Sequence, residues 1–224
     1  MANNQKQPAR ATKKGPSGLK LIYLILYNLF SAVAWGTVLW RTVAINVQSG
    51  PYAVFPGIGE WTRWTQTVAG LEILHSLLGV VRAPIFTTLM QVASRYLLVW
   101  GIVYPFPQVA ASPVYSTMLL AWSITEVIRY SYFALSLAGS VPNALVWLRY
   151  NTFYVLYPLG ISSEAWLVYK AIGPAAGLNE LFPIALYAIL AIYVPGSYIL
   201  YSHMMKQRTK VMKTLKENDS RKTQ

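Results

Sequence analysis

A tyrosine and a glutamate seven residues apart, Tyr157 and Glu164, stand in an otherwise apolar stretch that runs from Ala144 to Ile172. Seven positions make nearly two helical turns, so both side chains leave one face, ~10 Å apart along the axis of a straight helix. A phenol and a carboxyl so placed offer a proton donor and a proton acceptor to one substrate, as general acid–base catalysis requires. No base stands at positions 160, 161, 167 or 168 to neutralise Glu164, since those are its helical neighbours. A carboxyl left without a cation among apolar side chains is poised to exchange a proton near neutral pH. Pro158 and Gly160 lie between the two, and such residues bend helices, which predicts a kink that brings the phenol nearer to the carboxyl. The competing reading of Tyr157 is packing, because the chain holds 16 tyrosines and most must serve the core or the interfacial belt. From spacing alone both readings stand.

Other charges occur where lipid makes them expensive. Glu72 and His75, and likewise Glu126 and Arg129, are spaced three apart inside apolar segments, on one face of a helix turn. An ionisable group at mid-depth costs at least ~2.5–3.5 kcal/mol unless it is paired or watered. Glu126 and Arg129 are therefore read as a neutralising pair that holds helices in register, and His75 as a satisfied core histidine. The absence of cysteine excludes disulfides, thiolate catalysis and Cys-ligated zinc. With His75 and His203 the only imidazoles and Asp219 the only aspartate, a metal site or a Ser-His-Asp triad is excluded too.

The elements that must position these groups follow from composition. Hydrophobic residues make up 55% of the 224-residue chain and charged ones 12%, while 19 bases against 7 acids leave a net +12. That excess sits at the ends: residues 1–20 hold five bases and no acid, and residues 206–224 hold seven bases and two acids. A nucleic-acid binder spreads its bases over a face, so nucleic acid is excluded and membrane lipid is the expected surroundings. Residues 1–18 read as a disordered tail. Residues 21–40 are uncharged and long enough to cross a ~30 Å hydrocarbon layer. Residues 41–63, with Gly50-Pro51 and Pro56-Gly57, read as a loop. Further apolar segments cover 64–81, 85–104, 114–135, 144–172 and 181–205. The expectation is an all-α polytopic membrane bundle of six transmembrane helices over 19–205, flanked by basic tails, the second being 206–224. Bases are retained in the cytosol, so both tails belong there, and that demands an even number of crossings. No pair of broken repeats of the transporter type is visible. The final Arg221-Lys222-Thr223-Gln224 reads equally as a dibasic retrieval signal or as a solvated basic end.

The segment Trp147-Leu148-Arg149-Tyr150 through Tyr157 to Glu164 resembles the signature of the membrane-bound very-long-chain (3R)-3-hydroxyacyl-CoA dehydratases, the protein-tyrosine-phosphatase-like family, and most closely its plant PASTICCINO-type members. Leu71-Glu72-Ile73-Leu74-His75, Trp122 through Tyr130, and Ala191 through Ser197 resemble further family blocks in the family's order. The resemblance covers residues 19–205. It implies a six-span protein of the endoplasmic reticulum membrane with both ends cytosolic, and it implies that Tyr157 and Glu164 are catalytic. The phosphatase name carries no chemistry here, since a cysteine-dependent phosphatase needs a thiolate. The implied reaction removes water from a 3-hydroxyacyl-CoA to give the trans-2-enoyl-CoA, the third step of fatty-acid elongation. It has no redox step, so no cofactor is expected. Glu164 as base with Tyr157 as acid is one division of labour, and Glu164 activating Tyr157 is the other. Arg82 and Arg149, at cytosolic ends of spans, are expected partners of the polyanionic coenzyme, while their other reading is topology alone. The implied partners are the acyl-CoA and the condensing, ketoacyl-reducing and enoyl-reducing subunits of the elongase. A non-catalytic scaffold of that complex is the alternative.

Overall fold

The computed structural model describes residues 16–81 and 85–222, with the side chains of 214–222 left aside. Over these residues the chain is helical and has no strand. Helix α1 (Leu19–Ser49) stops where Gly50 takes a φ of 80° and Pro51 begins a 3-10 turn. Helices α2 (Val54–Val68) and α3 (Leu71–Leu77) follow. Helix α4 (Ile85–Tyr96) runs on into a wide π-helical stretch, Leu97–Val103. The short α5 (Pro107–Ala110) leads to α6 (Pro113–Leu137). Helices α7 (Asn143–Asn151) and α8 (Phe153–Ala176) come next, and α9 (Leu181–Lys222) ends the chain.

Two expectations change. The stretch 41–63 is not a loop, since α1 extends through it to Ser49 and α2 occupies its second half. Its prolines sit where they cost no hydrogen bond: Pro51 opens a 3-10 turn and Pro56 is the third residue of α2, and the first amides of a helix have no partner in any case. The fifth apolar segment is interrupted at Thr152, between α7 and α8, while α8 continues through Pro158. Arg82 and most of the 1–18 tail lie outside the described residues. The basic residues from Lys206 to Lys222 continue α9 rather than forming a separate element.

Local chemistry explains the ends of α6. Pro113 is its first residue, where a missing N–H is harmless. At its far end Gly139 takes a φ of 90°, its N–H bonds the carbonyl of Ser136, and that of Ser140 bonds Leu135. Only glycine adopts that turn without strain, and it satisfies two terminal carbonyls.

Helix α6 is central: α1 packs along one side, α8 along another, and α9 lies against α8. One half of the bundle is solid. Trp35 and Val38 of α1, Leu98 and Ile102 of the π stretch, Met118 and Leu119 of α6 and Leu167 and Ala171 of α8 interlock there, each nearly inaccessible. The other half, toward the start of α1, the end of α6 and the second half of α9, opens into a cavity. On the outside, Leu26, Phe30, Val33 and Trp40 of α1 and Ile184 and Val194 of α9 are exposed. An apolar surface of that extent belongs in lipid. Among the described residues three helical segments are long and apolar enough to cross a membrane, Leu19–Ser49, Ile85–Val103 and Leu181–Lys213.

Candidate active site

Tyr157 and Glu164 both line one cavity of about 1170 Å³, to which α1 to α4, the π stretch and α6 to α9 contribute. Helix α8 presents both because they are seven residues apart on a continuous helix, and Gly160 between them faces the same space. Glu164 is buried, with 8% of its surface exposed. One carboxyl oxygen accepts the Trp122 indole N–H at 2.8 Å, and the other accepts the Tyr193 hydroxyl at 3.1 Å. Both oxygens thus act as acceptors, and among the described residues no cation pairs with the group. The Tyr157 hydroxyl donates to the Ser197 carbonyl of α9 at 2.9 Å, and its ring lies 5.7 Å from that of Tyr201. Phenol and carboxylate are anchored by different partners and look into one space.

Behind them lies a charge network. Arg129 forks onto both oxygens of Glu72 at 2.8 Å each and donates to Glu126 at 2.6 Å. Arg95 pairs with the other oxygen of Glu126, and Tyr130 donates to Glu72. Four charges from α3, α4 and α6 therefore cancel in pairs, which is how ionised groups persist at membrane depth. The Glu126–Arg129 pair read from spacing is present and extends to two further helices. Glu72 and His75 do not act together. Glu72 belongs to Arg129, while His75, 6% exposed, bonds the Tyr23 hydroxyl at 2.8 Å and stands edge-on to Tyr27.

The network touches the carboxylate through one indole. The Arg95 guanidinium lies 4.9 Å from the Trp122 ring centre, and Trp122 in turn holds Glu164. Trp122, Tyr193 and Arg95 were invisible as site residues in the sequence, because spacing along one helix says nothing about partners on another. Their only signal was position: Trp122 opens one of the family-like blocks and Tyr193 lies inside another. Arg149 lines the cavity nearer its mouth, with its guanidinium 4.6 Å from the Phe133 ring and 4.8 Å from that of Tyr132. Its Nε is buried without a partner.

A phenol and a buried carboxyl group that share one mostly apolar cavity can move protons on an apolar substrate. Among the described residues no group of three or more His, Cys, Asp or Glu could hold a metal ion.

A family model described as protein tyrosine phosphatase-like protein, PTPLA, matches residues 66–214. The chain is 46% identical over 197 residues to a Schizosaccharomyces pombe protein named probable very-long-chain (3R)-3-hydroxyacyl-CoA dehydratase, a match covering 87% of this chain and 95% of that protein. It is 39% identical over 211 residues to very-long-chain (3R)-3-hydroxyacyl-CoA dehydratase PASTICCINO 2 of Arabidopsis thaliana, covering 88% and 95%. Against human very-long-chain (3R)-3-hydroxyacyl-CoA dehydratase 2 the identity is 34% over 214 residues, covering 89% and 84%. No solved structure matches the chain.

Proposed function

The chain belongs to the protein tyrosine phosphatase-like family, and from that premise we propose that it dehydrates very-long-chain (3R)-3-hydroxyacyl-CoA with Tyr157 and Glu164 as its acid–base pair. The single observation that carries this reading is that Glu164, with no counter-ion among the described residues, shares a cavity with the Tyr157 phenol. Glu164 takes the C2 proton. The released electron pair forms the C2–C3 double bond as the C3–O bond breaks, and Tyr157 protonates the departing hydroxyl so that it leaves as water. Glu164 then returns its proton to the tyrosinate, which restores both groups. The Tyr157 hydroxyl donates to the Ser197 carbonyl and not to Glu164, which supports this division over one in which Glu164 activates Tyr157. The polyanionic coenzyme meets Arg149 at the cavity mouth, with Arg82 as its second partner, and the acyl chain lies among the apolar side chains deeper in.

The same reading gives six spans in the endoplasmic reticulum membrane: α1, the broken pair α2 and α3, α4 with its π stretch, α6, α7 with α8, and α9. The ends that border the cavity mouth, at Lys20, Gly79, Leu137, Arg149 and Gln207, are then all cytosolic, where an acyl-CoA arrives. The other elongase subunits work beside it, with the 3-ketoacyl reductase supplying its substrate and the enoyl reductase consuming its product.

The purified chain in lipid vesicles should convert a very-long-chain 3-hydroxyacyl-CoA to the trans-2-enoyl-CoA without added metal or nucleotide. A folded chain that binds elongase subunits but turns over nothing would replace the enzyme by the scaffold. Tags at both ends should be open to protease in sealed microsomes, and protection of one end would refute the six-span topology.

A further inference from the structure

The cavity changes its electrostatic character along its length. Inside, its two arginines are matched, Arg95 to Glu126 and Arg129 to Glu72 and Glu126. At the mouth they are not. Lys20 in the first turn of α1 and Arg149 of α7 line it, as does Gln207 of α9, whose neighbour Arg208 stands just outside the lining against Asn151, between the lining residues Tyr150 and Thr152. None of Lys20, Arg149 and Arg208 pairs with a carboxylate among the described residues. Two of these cations are nonetheless held in place. Arg149 is clasped by the rings of Tyr132 and Phe133, with Tyr150 at 5.7 Å. Arg208 donates from Nε to the Asn151 side chain at 3.1 Å, and its guanidinium lies 5.3 Å from the Tyr154 ring. Side chains fixed without a counter-ion are preorganised for an anion that arrives from outside, and guanidinium suits phosphate above other anions.

We propose that Arg149, Lys20 and Arg208 form a phosphate site for the nucleotide end of coenzyme A, and that the helical extension of α9 past the bilayer serves to complete it. The assignment rests on the dehydratase reading and gives it a second, distant point of recognition. Ser197, whose carbonyl holds the Tyr157 hydroxyl, and Gln207 at the rim are ten residues apart on one helix, ~15 Å along the axis. That separation suits the pantetheine arm that lies between the phosphates and the thioester. Binding energy from the remote nucleotide can then be used to fix the reacting carbons between Tyr157 and Glu164.

An anionic lipid headgroup offers the same phosphate chemistry, so the test separates the two sources. The full-length parent, Lys20→Ala and Arg208→Gln are reconstituted in phosphatidylcholine vesicles and given one 3-hydroxyacyl chain as its CoA thioester and as its pantetheine thioester. In each variant KM for the CoA thioester should rise roughly tenfold to hundredfold, as expected for a lost charged hydrogen bond. The kcat values and the KM for the pantetheine thioester should stay at the parent's, and 3′,5′-ADP should compete with the CoA thioester on the parent. Equal changes on both thioesters, or none on either, would overturn the site. So would variants that bind the CoA thioester normally but lose a stimulation by phosphatidylserine that the parent shows. If the parent turns over neither thioester, the dehydratase reading fails by itself. Equilibrium dialysis of 3′,5′-ADP then decides the rim, with binding weakened in both variants upholding it and unchanged binding overturning it.

Discussion

Replacing Glu164 by glutamine isolates proton transfer from shape. The carboxyl accepts from Trp122 at 2.8 Å and from Tyr193 at 3.1 Å. A glutamine keeps the first bond through its amide oxygen. Its NH2 then faces Tyr193, whose hydroxyl can turn to accept. The fold therefore exchanges one charge-assisted bond for a neutral one, a loss of ~1 kcal/mol, which corresponds to ~2–4 °C in unfolding temperature for a chain of this size. The chemical step loses its base. General acid–base catalysis contributes about 10²–10⁴ in rate, equivalent to ~3–5 kcal/mol of barrier. Turnover of a 3-hydroxyacyl-CoA in vesicles, followed by the appearance of the enoyl product, should fall at least a hundredfold while the unfolding temperature barely moves. Alanine is the poorer probe, because it strands the buried Trp122 N–H at ~1–3 kcal/mol and mixes folding with catalysis. A folded glutamine variant that retains more than a tenth of the parent's rate would refute the assignment of Glu164 as base.

Tyr157→Phe should keep the ring contact with Tyr201 and lose only the bond to the Ser197 carbonyl. Its turnover should drop ~10²–10⁴-fold in the same assay, and near-parental rates would exclude the phenol as acid. Tyr193→Phe removes one of the two donors that orient Glu164, so kcat should fall about tenfold or more at unchanged KM; a change in KM alone would place Tyr193 on the substrate instead. Glu126→Ala leaves Arg95 and Arg129 without their shared partner. Breaking such a pair costs ~3–5 kcal/mol, to be read as lost thermal stability in detergent, and a variant as stable as the parent would mean that water replaces the carboxylate.

The helices were legible where the sequence is uniform. The run 114–135 matches α6 to within two residues, and 85–104 matches α4 with its π stretch. Misreadings came from residues with two structural uses. Gly50-Pro51 does end a helix, but Pro56 sits early in α2 rather than in a loop, since proline both breaks helices and begins them. The Glu126–Arg129 pair was readable because both partners lie on one turn. The links from Arg95 to Glu126, from Arg129 to Glu72 and from Trp122 to Glu164 join different helices, and periodicity along a single helix does not encode which neighbour will face it. For the same reason the spacing of Tyr157 and Glu164 located the face of α8 but not the Tyr193 and Ser197 atoms that hold them.

Translation imposes an order on the buried charges. Glu72 and Arg95 leave the ribosome before Glu126 and Arg129 have been made. A lone charge in the centre of a spanning helix is unfavourable by ~2.5–3.5 kcal/mol on insertion scales, a cost that six spans would place on both early segments. Helix α6 differs, because its opposite charges stand three residues apart and bond each other, which lets it partition as a neutral unit. Its arrival then neutralises both waiting partners at once. On the six-span reading, the segments that carry Glu72 and Arg95 gain their counter-charges only once residue 129 has been made.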